Sequence, residues 1–78
     1  MNLFNENYER HGFWELPFPN GEPWINCYYD NGKRHGFFEK FWGNGELYIK
    51  GQFNQDKKCG YFQTFTSQKE LSVKEFFI

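Results

Sequence analysis

Seventy-eight residues with nine basic and ten acidic side chains, a formal net charge of −1 and 24% aromatics make one domain. A domain of this size buries only roughly 60% of the surface its unfolded chain exposes, too little to wall a deep catalytic cleft. The near-neutral charge excludes a whole-molecule field that would gather polyanions. Eleven Phe, five Tyr, three Trp and eight Gly with no Ala oppose helix and favour strands joined by tight turns.

The opening segment MNLFNENYERHG is polar apart from Leu3 and Phe4. It reads as a ragged start or an edge strand over residues 1 to 7. No apolar run approaches the roughly 20 residues that span a bilayer, and no charged-then-apolar leader opens the chain, so a soluble, cytoplasmic protein is expected. Cys27 and Cys59 form neither a CxxC pair nor a secreted-type framework and are read as reduced thiols.

From Tyr8 a pattern sets in. Gly12, Gly36 and Gly60 stand 24 residues apart, and GFWELPFPNGEPWI, GFFEKFWGNGELYI and GYFQTFTSQKELSV align from them without a gap. The chain is three copies of one unit, approximately residues 8–31, 32–55 and 56–78. Units this short must stack on a neighbour to bury an apolar face. In the first, GFWELPF turns through Asn20-Gly21, which suits a type I′ hairpin, and returns as WINCYY. Pro17, Pro19 and Pro23 predict irregularity near that tip. In the second, Phe37 to Trp42 runs out, Gly43-Asn44-Gly45 turns and Leu47 to Phe53 runs back. In the third, Gln68-Lys69 replaces Asn-Gly, predicting a looser connection, with a short helix over Ser67 to Val73 as the alternative. The expected fold is all-β: an up-and-down antiparallel sheet of about six strands built from three stacked β-hairpins.

Period-two alternation predicts one packed face carrying Phe13, Phe37, Tyr61, Phe41 and Phe65 with Ile25, Ile49, Val73, Tyr29, Phe53 and Phe77. The opposite face, with Trp14, Phe38, Phe62, Phe18, Trp42, Trp24 and Tyr48 among Lys40, Lys50, Lys74, Asn26 and Gln52, is then partly wet. Exposed aromatic patches rimmed by polar groups mark contact surfaces. Glu22, Glu46 and Glu70 share a position at the hairpin tips. Arg10, Arg34 and Lys58, with Lys33 and Lys57, share the connections at the other strand ends. An acidic edge and a basic edge are expected.

Catalytic and metal chemistry find little support. His11, His35 and Cys59 precede the repeat glycines, but equivalent positions two strand spacings apart lie roughly 9 to 10 Å from one another, too far to share a zinc ion. Glu15, Glu39 and Gln63 form a ladder because the unit repeats, without a cleft around them. No nucleophile elbow, Walker loop or dinucleotide fingerprint is present. Neither a catalytic residue, a metal nor a cofactor is expected.

Asn31-Gly32-Lys33, Gly36-Phe37-Phe38, Asn44-Gly45-Glu46-Leu47 and Gly51-Gln52-Phe53 resemble the MORN repeat and its bacterial variant, often labelled YwqK-like antitoxins. The similarity spans Tyr8 to Phe77. It implies a stacked array of β-hairpins acting as a non-catalytic scaffold for protein or membrane-lipid partners. The expected function is a protein-binding module, a small inhibitor or antitoxin acting on a toxin or defence protein in a bacterial or phage system. Trp14, Trp24, Phe38, Trp42, Tyr48, Lys33, Arg34, Lys57 and Lys58 are the candidate partner-binding residues. The alternatives are peripheral binding of anionic lipid or single-stranded nucleic acid through the basic connections and aromatics, with the repeated Glu disfavouring nucleic acid, and a homodimer formed through the wet faces.

Overall fold

Each 24-residue unit folds as one antiparallel hairpin, and the hairpins lie side by side in chain order. The computed structural model describes residues 2–78, so Met1 of the expected ragged start lies outside the described residues. Strands β1 (Leu3–Phe4), β2 (Arg10–Pro17), β3 (Pro23–Asp30), β4 (Lys33–Phe41), β5 (Leu47–Asn54), β6 (Lys57–Phe65) and β7 (Leu71–Phe77) form a single sheet ordered as in the sequence. The seventh strand beyond the expected six is the two-residue β1, which pairs Leu3 with His11 and Phe4 with Arg10 along the edge of β2. No helix forms over Ser67 to Val73: a turn leads into β7. None of the described residues lies in a helix long and apolar enough to cross a membrane.

The tip turns differ from the expected type I′ geometry. Phe18 N–H donates to the Glu22 carbonyl and Gly21 N–H to the Phe18 carbonyl, both at 2.8 Å. Gly21 takes φ +89° whereas Asn20 is not left-handed. The Asn20 side-chain oxygen instead accepts the Glu22 N–H at 3.0 Å. An Asn that bonds its own backbone two residues on holds a three-residue loop closed by a left-handed Gly. The second tip repeats this with Trp42, Asn44, Gly45 and Glu46. The third tip is not looser. Thr66 N–H donates to the Glu70 carbonyl at 2.8 Å, Lys69 sits at φ +70° in the glycine's place, and Thr66 Oγ1 accepts the Gln68 and Glu70 N–H groups. Each hairpin shifts register at the same point, after Leu16, Lys40 and Thr64. The irregularity near the first tip therefore belongs to the loop type rather than to the prolines. Between units the two left-handed residues do appear, as Asn31-Gly32 and as Gln55-Asp56.

Gly36 at φ +94° faces Tyr28, whose Cβ lies 3.6 Å from where a glycine Cβ would stand. Three β4 residues there oppose one on β3, the bulge seen as a register shift between Cys27 and Tyr29. The 24-residue glycine therefore marks where each unit kinks into the next.

That register corrects the expected faces. Phe13 pairs with Tyr28 and Trp14 with Cys27; Phe38 pairs with Cys27 and Gly51. The return-strand residues Tyr29, Phe53 and Phe77 lie on the packed side as expected, but Phe13, Phe37 and Tyr61 exchange places with Trp14, Phe38 and Phe62. The expected grouping of Phe13 with Tyr29 places them one residue out of register, and a one-residue error turns every side chain of a strand over.

Candidate functional site

The sheet is one layer, with principal extents of 41 × 36 × 12 Å, so its two faces meet different surroundings. On the covered face, Phe4 packs edge-on to Trp14 and Trp14 to Tyr29; Phe38, Phe53, Phe62 and Phe77 continue the T-shaped series at centroid separations of 5.2 to 5.6 Å. Cys27, 1% exposed, fills the gap between these groups. With no second layer to cover the rings, the repeat's basic position does so. The Arg10 guanidinium lies over Trp14 and Tyr29, that of Arg34 lies 4.2 Å from the Phe53 centroid, and Lys58 Nζ lies over Phe62 and Phe77. A cation over a ring contributes about 0.5–1 kcal/mol at exposed sites, and its aliphatic stem adds apolar cover.

Burial pushes the Cys27 thiol above its ordinary range, partly offset by its hydrogen bond with Tyr29. Burial also raises the Tyr29 phenol, against a hydrogen bond from Arg10. A thiol held protonated in a covered pocket is a packing group rather than a nucleophile.

The opposite face has no such layer of cations over its rings among the described residues. Along one row run Phe13, Tyr28, Phe37, Gln52, Tyr61 and Phe76, set by the pairs Phe13–Tyr28, Phe37–Gln52 and Tyr61–Phe76. Phe13, Tyr28 and Phe37 form one ring cluster, and Tyr61 and Phe76 a second with centroids 4.9 Å apart. Tyr61 is 57% and Phe76 62% exposed. Gln52 occupies the position held by Tyr28 and Phe76 in the other units, and a trough of about 560 Å³ opens there, between Phe37 and Tyr61. The neighbouring row carries Glu15, Asn26, Glu39, Lys50, Gln63 and Lys74. Glu39 and Lys50 are thus cross-strand neighbours on an open face, and Asn26 stands between Glu15 and Glu39. Neither is in an ion pair among the described residues.

The sequence-predicted partner residues are dispersed over this frame. Trp14, 6% exposed, and half-buried Phe38 belong to the covered face, and Trp14 Nε1–H donates to the Leu3 carbonyl. Trp24, Trp42 and Tyr48 gather at the tip end. Trp42 and Tyr48 stack at 4.0 Å, Trp42 Nε1–H donates to the Phe65 carbonyl, and Lys40 Nζ lies 5.8 Å from both the Trp24 and Tyr48 rings. Lys33, Arg34, Lys57 and Lys58 lie at the opposite end, as expected. That end is mixed rather than basic, however. Asp56 Oδ1 accepts the Arg34 Nε–H at 2.8 Å and the Arg34 backbone N–H at 3.0 Å, which holds its carboxyl below the usual carboxylate range. At the acidic edge Lys69 likewise reaches Glu46 at 3.5 Å.

His11 Nδ1 accepts the Asn31 N–H and His35 Nδ1 the Gln55 N–H, at 3.2 and 3.3 Å. Each histidine therefore ties its unit to a turn. No group of three or more His, Cys, Asp or Glu among the described residues is placed to hold a metal ion, and both cysteines are free.

Alternation alone puts Phe13, Phe37 and Tyr61 on the packed side and singles out neither Tyr28 nor Phe76 as an exposed ring. The signal available for them was the Asn-Gly turn, which brings Phe13 opposite Tyr28 rather than Tyr29. No protein-family model matches the chain, and neither the curated proteins nor the solved structures contain a significant match.

Proposed function

We propose that the chain is a non-enzymatic, cytoplasmic protein-binding module that works through the wet aromatic face, as a small inhibitor or antitoxin of the kind its MORN-like repeats suggest. One observation carries this reading: four exposed aromatic side chains, Tyr28, Phe37, Tyr61 and Phe76, stand on the open side of a one-layer sheet, while the covered side supplies the packing. Tyr and Phe in such a row offer large, rigid apolar area, and aromatic anchors dominate interface energetics. Glu15, Glu39, Lys50 and Lys74 beside them give a polar rim of both signs, which suits a protein surface better than a polyanion.

The test is recovery of a partner that co-purifies from native cells, followed by calorimetric titration of that partner with wild type, Tyr61→Ala and Phe76→Ala. Affinity should fall by at least about tenfold in each variant, the order expected for truncating an aromatic anchor. Undiminished affinity in both contradicts the assignment. Binding of anionic lipid or single-stranded nucleic acid through Lys33, Arg34, Lys57 and Lys58 is the weaker reading, because Arg34 is engaged by Asp56 and Phe53 and Lys58 lies over two rings.

A further inference from the structure

The wet face is complementary to itself. Across the sheet its polar row reads Glu15, Asn26, Glu39, Lys50, Gln63, Lys74 from β2 to β7, acidic on one half and basic on the other. A two-fold axis parallel to the strands, between β4 and β5, turns that row onto itself in reverse order. Glu39 then meets the partner's Lys50, and Glu15 the partner's Lys74. The same operation acts on the aromatic row. Tyr28 meets the partner's Tyr61, and Phe37 the partner's Gln52, where the trough beside Tyr61 has room for a ring.

We propose that a second copy of this chain covers the wet face, the two sheets packing as an isologous sandwich about that axis. The inference rests on the wet face being the binding surface and adds its occupant when no foreign partner is present; an inhibited protein then binds by displacing the copy. Size permits it. The sheet's extents of 41 × 36 Å give a flat side on the order of 1,500 Å², against the roughly 800 Å² per partner of a standard interface. Twist rotates packed sheets by about 30°, so pairs far from the axis drift apart while Glu39 and Lys50, beside it, stay aligned. An isologous contact counts each of these pairs twice.

Sedimentation equilibrium from low to high micromolar concentration tests the arrangement with Glu39→Lys, Lys50→Glu, their equimolar mixture and the double exchange in one chain. Wild type should pass from monomer to dimer mass. Each single variant should dimerise at least about tenfold more weakly, since like charges brought together across an interface are strongly unfavourable. The mixture and the double exchange should recover the dimer. Repulsion within one chain is unchanged by mixing, so recovery on mixing isolates the contact between copies, and circular dichroism of each variant checks that the sheet is formed. A wild-type chain that stays monomeric overturns the proposal, as does a mixture that associates no better than its components. Either result leaves the binding function standing if Tyr61→Ala still weakens a foreign partner.

Discussion

Both faces of the sheet carry aromatic rings, and adjacent rings on the two faces differ sharply in exposure. Tyr61 and Phe62 are chain neighbours, one 57% and the other 6% exposed. What separates them is the repeat's basic position: Lys58 lies over Phe62 and Phe77, as Arg10 and Arg34 lie over the rings of the earlier units, whereas on the Tyr61 side Lys74 lies 4.6 Å from its centroid. A one-layer sheet can thus build a core from rings roofed by long cationic side chains and leave Tyr28, Phe37, Tyr61 and Phe76 exposed on its other face.

The largest break in that contrast should come from the covered face. Phe53→Ala removes a ring in edge contact with Phe38 and Phe62 and beneath Arg34; it should cost about 3–5 kcal/mol, much of the stability of a domain this small. Urea denaturation should show this, while Phe37→Ala, a ring 38% exposed on the wet face, costs less, about 1–2 kcal/mol. Gly51→Ala should cost about 1–3 kcal/mol by overpacking, because an added Cβ would stand 2.6 Å from the Phe62 ring. Equal stability of Gly51→Ala and wild type would show that the covered face is looser than described. Next, Arg34→Ala should lose about 1 kcal/mol, combining its place over Phe53 with the bond to Asp56, while Lys33→Ala, with an exposed side chain, stays within about 0.5 kcal/mol.

The smallest effects are those of pH. The Cys27 pKa is raised in the folded state, so its contribution is intact below the unfolded value of about 8.5 and is lost as pH rises through the folded one. Cys27→Ala should delay the onset of alkaline destabilisation towards the range where Tyr29, also raised, takes over. In native protein a thiol reagent should label half-buried Cys59 and spare Cys27. Asp56 works with the opposite sign. Its pKa is depressed, so its contribution is present above about pH 3.9 and lost as pH falls through the lower folded value. Asp56→Asn should flatten the acid limb only slightly, because the pair with Arg34 is solvent-exposed.

Much of this architecture was legible in the sequence. The 24-residue spacing of Gly12, Gly36 and Gly60 carried the hairpin array, because a bulge that needs positive φ recurs wherever the unit does. Alternation also puts the return strands on their proper side. It does not do so for the outgoing strands, since alternation fixes sides within a strand but the loop and its bulge fix how two strands face one another. The third tip shows a different limit. Thr66 and Lys69 build the loop that Asn44 and Gly45 build, a substitution of side-chain chemistry that residue identity alone conceals. The ion pairs of Arg34 with Asp56 and Lys69 with Glu46 cross from one unit to the next, so the expected acidic and basic edges are locally neutralised by contacts that no single unit contains.

In the proposed function one face makes the fold and the other is kept for binding. The most direct measurement of that division is the unfolding free energy of Phe62→Ala beside that of Tyr61→Ala, taken at low protein concentration and repeated at high concentration. A loss of about 3 kcal/mol or more is expected for Phe62→Ala at both concentrations, and less than about 1 kcal/mol for Tyr61→Ala in the dilute sample. Equal losses for these two neighbours in dilute solution would contradict it.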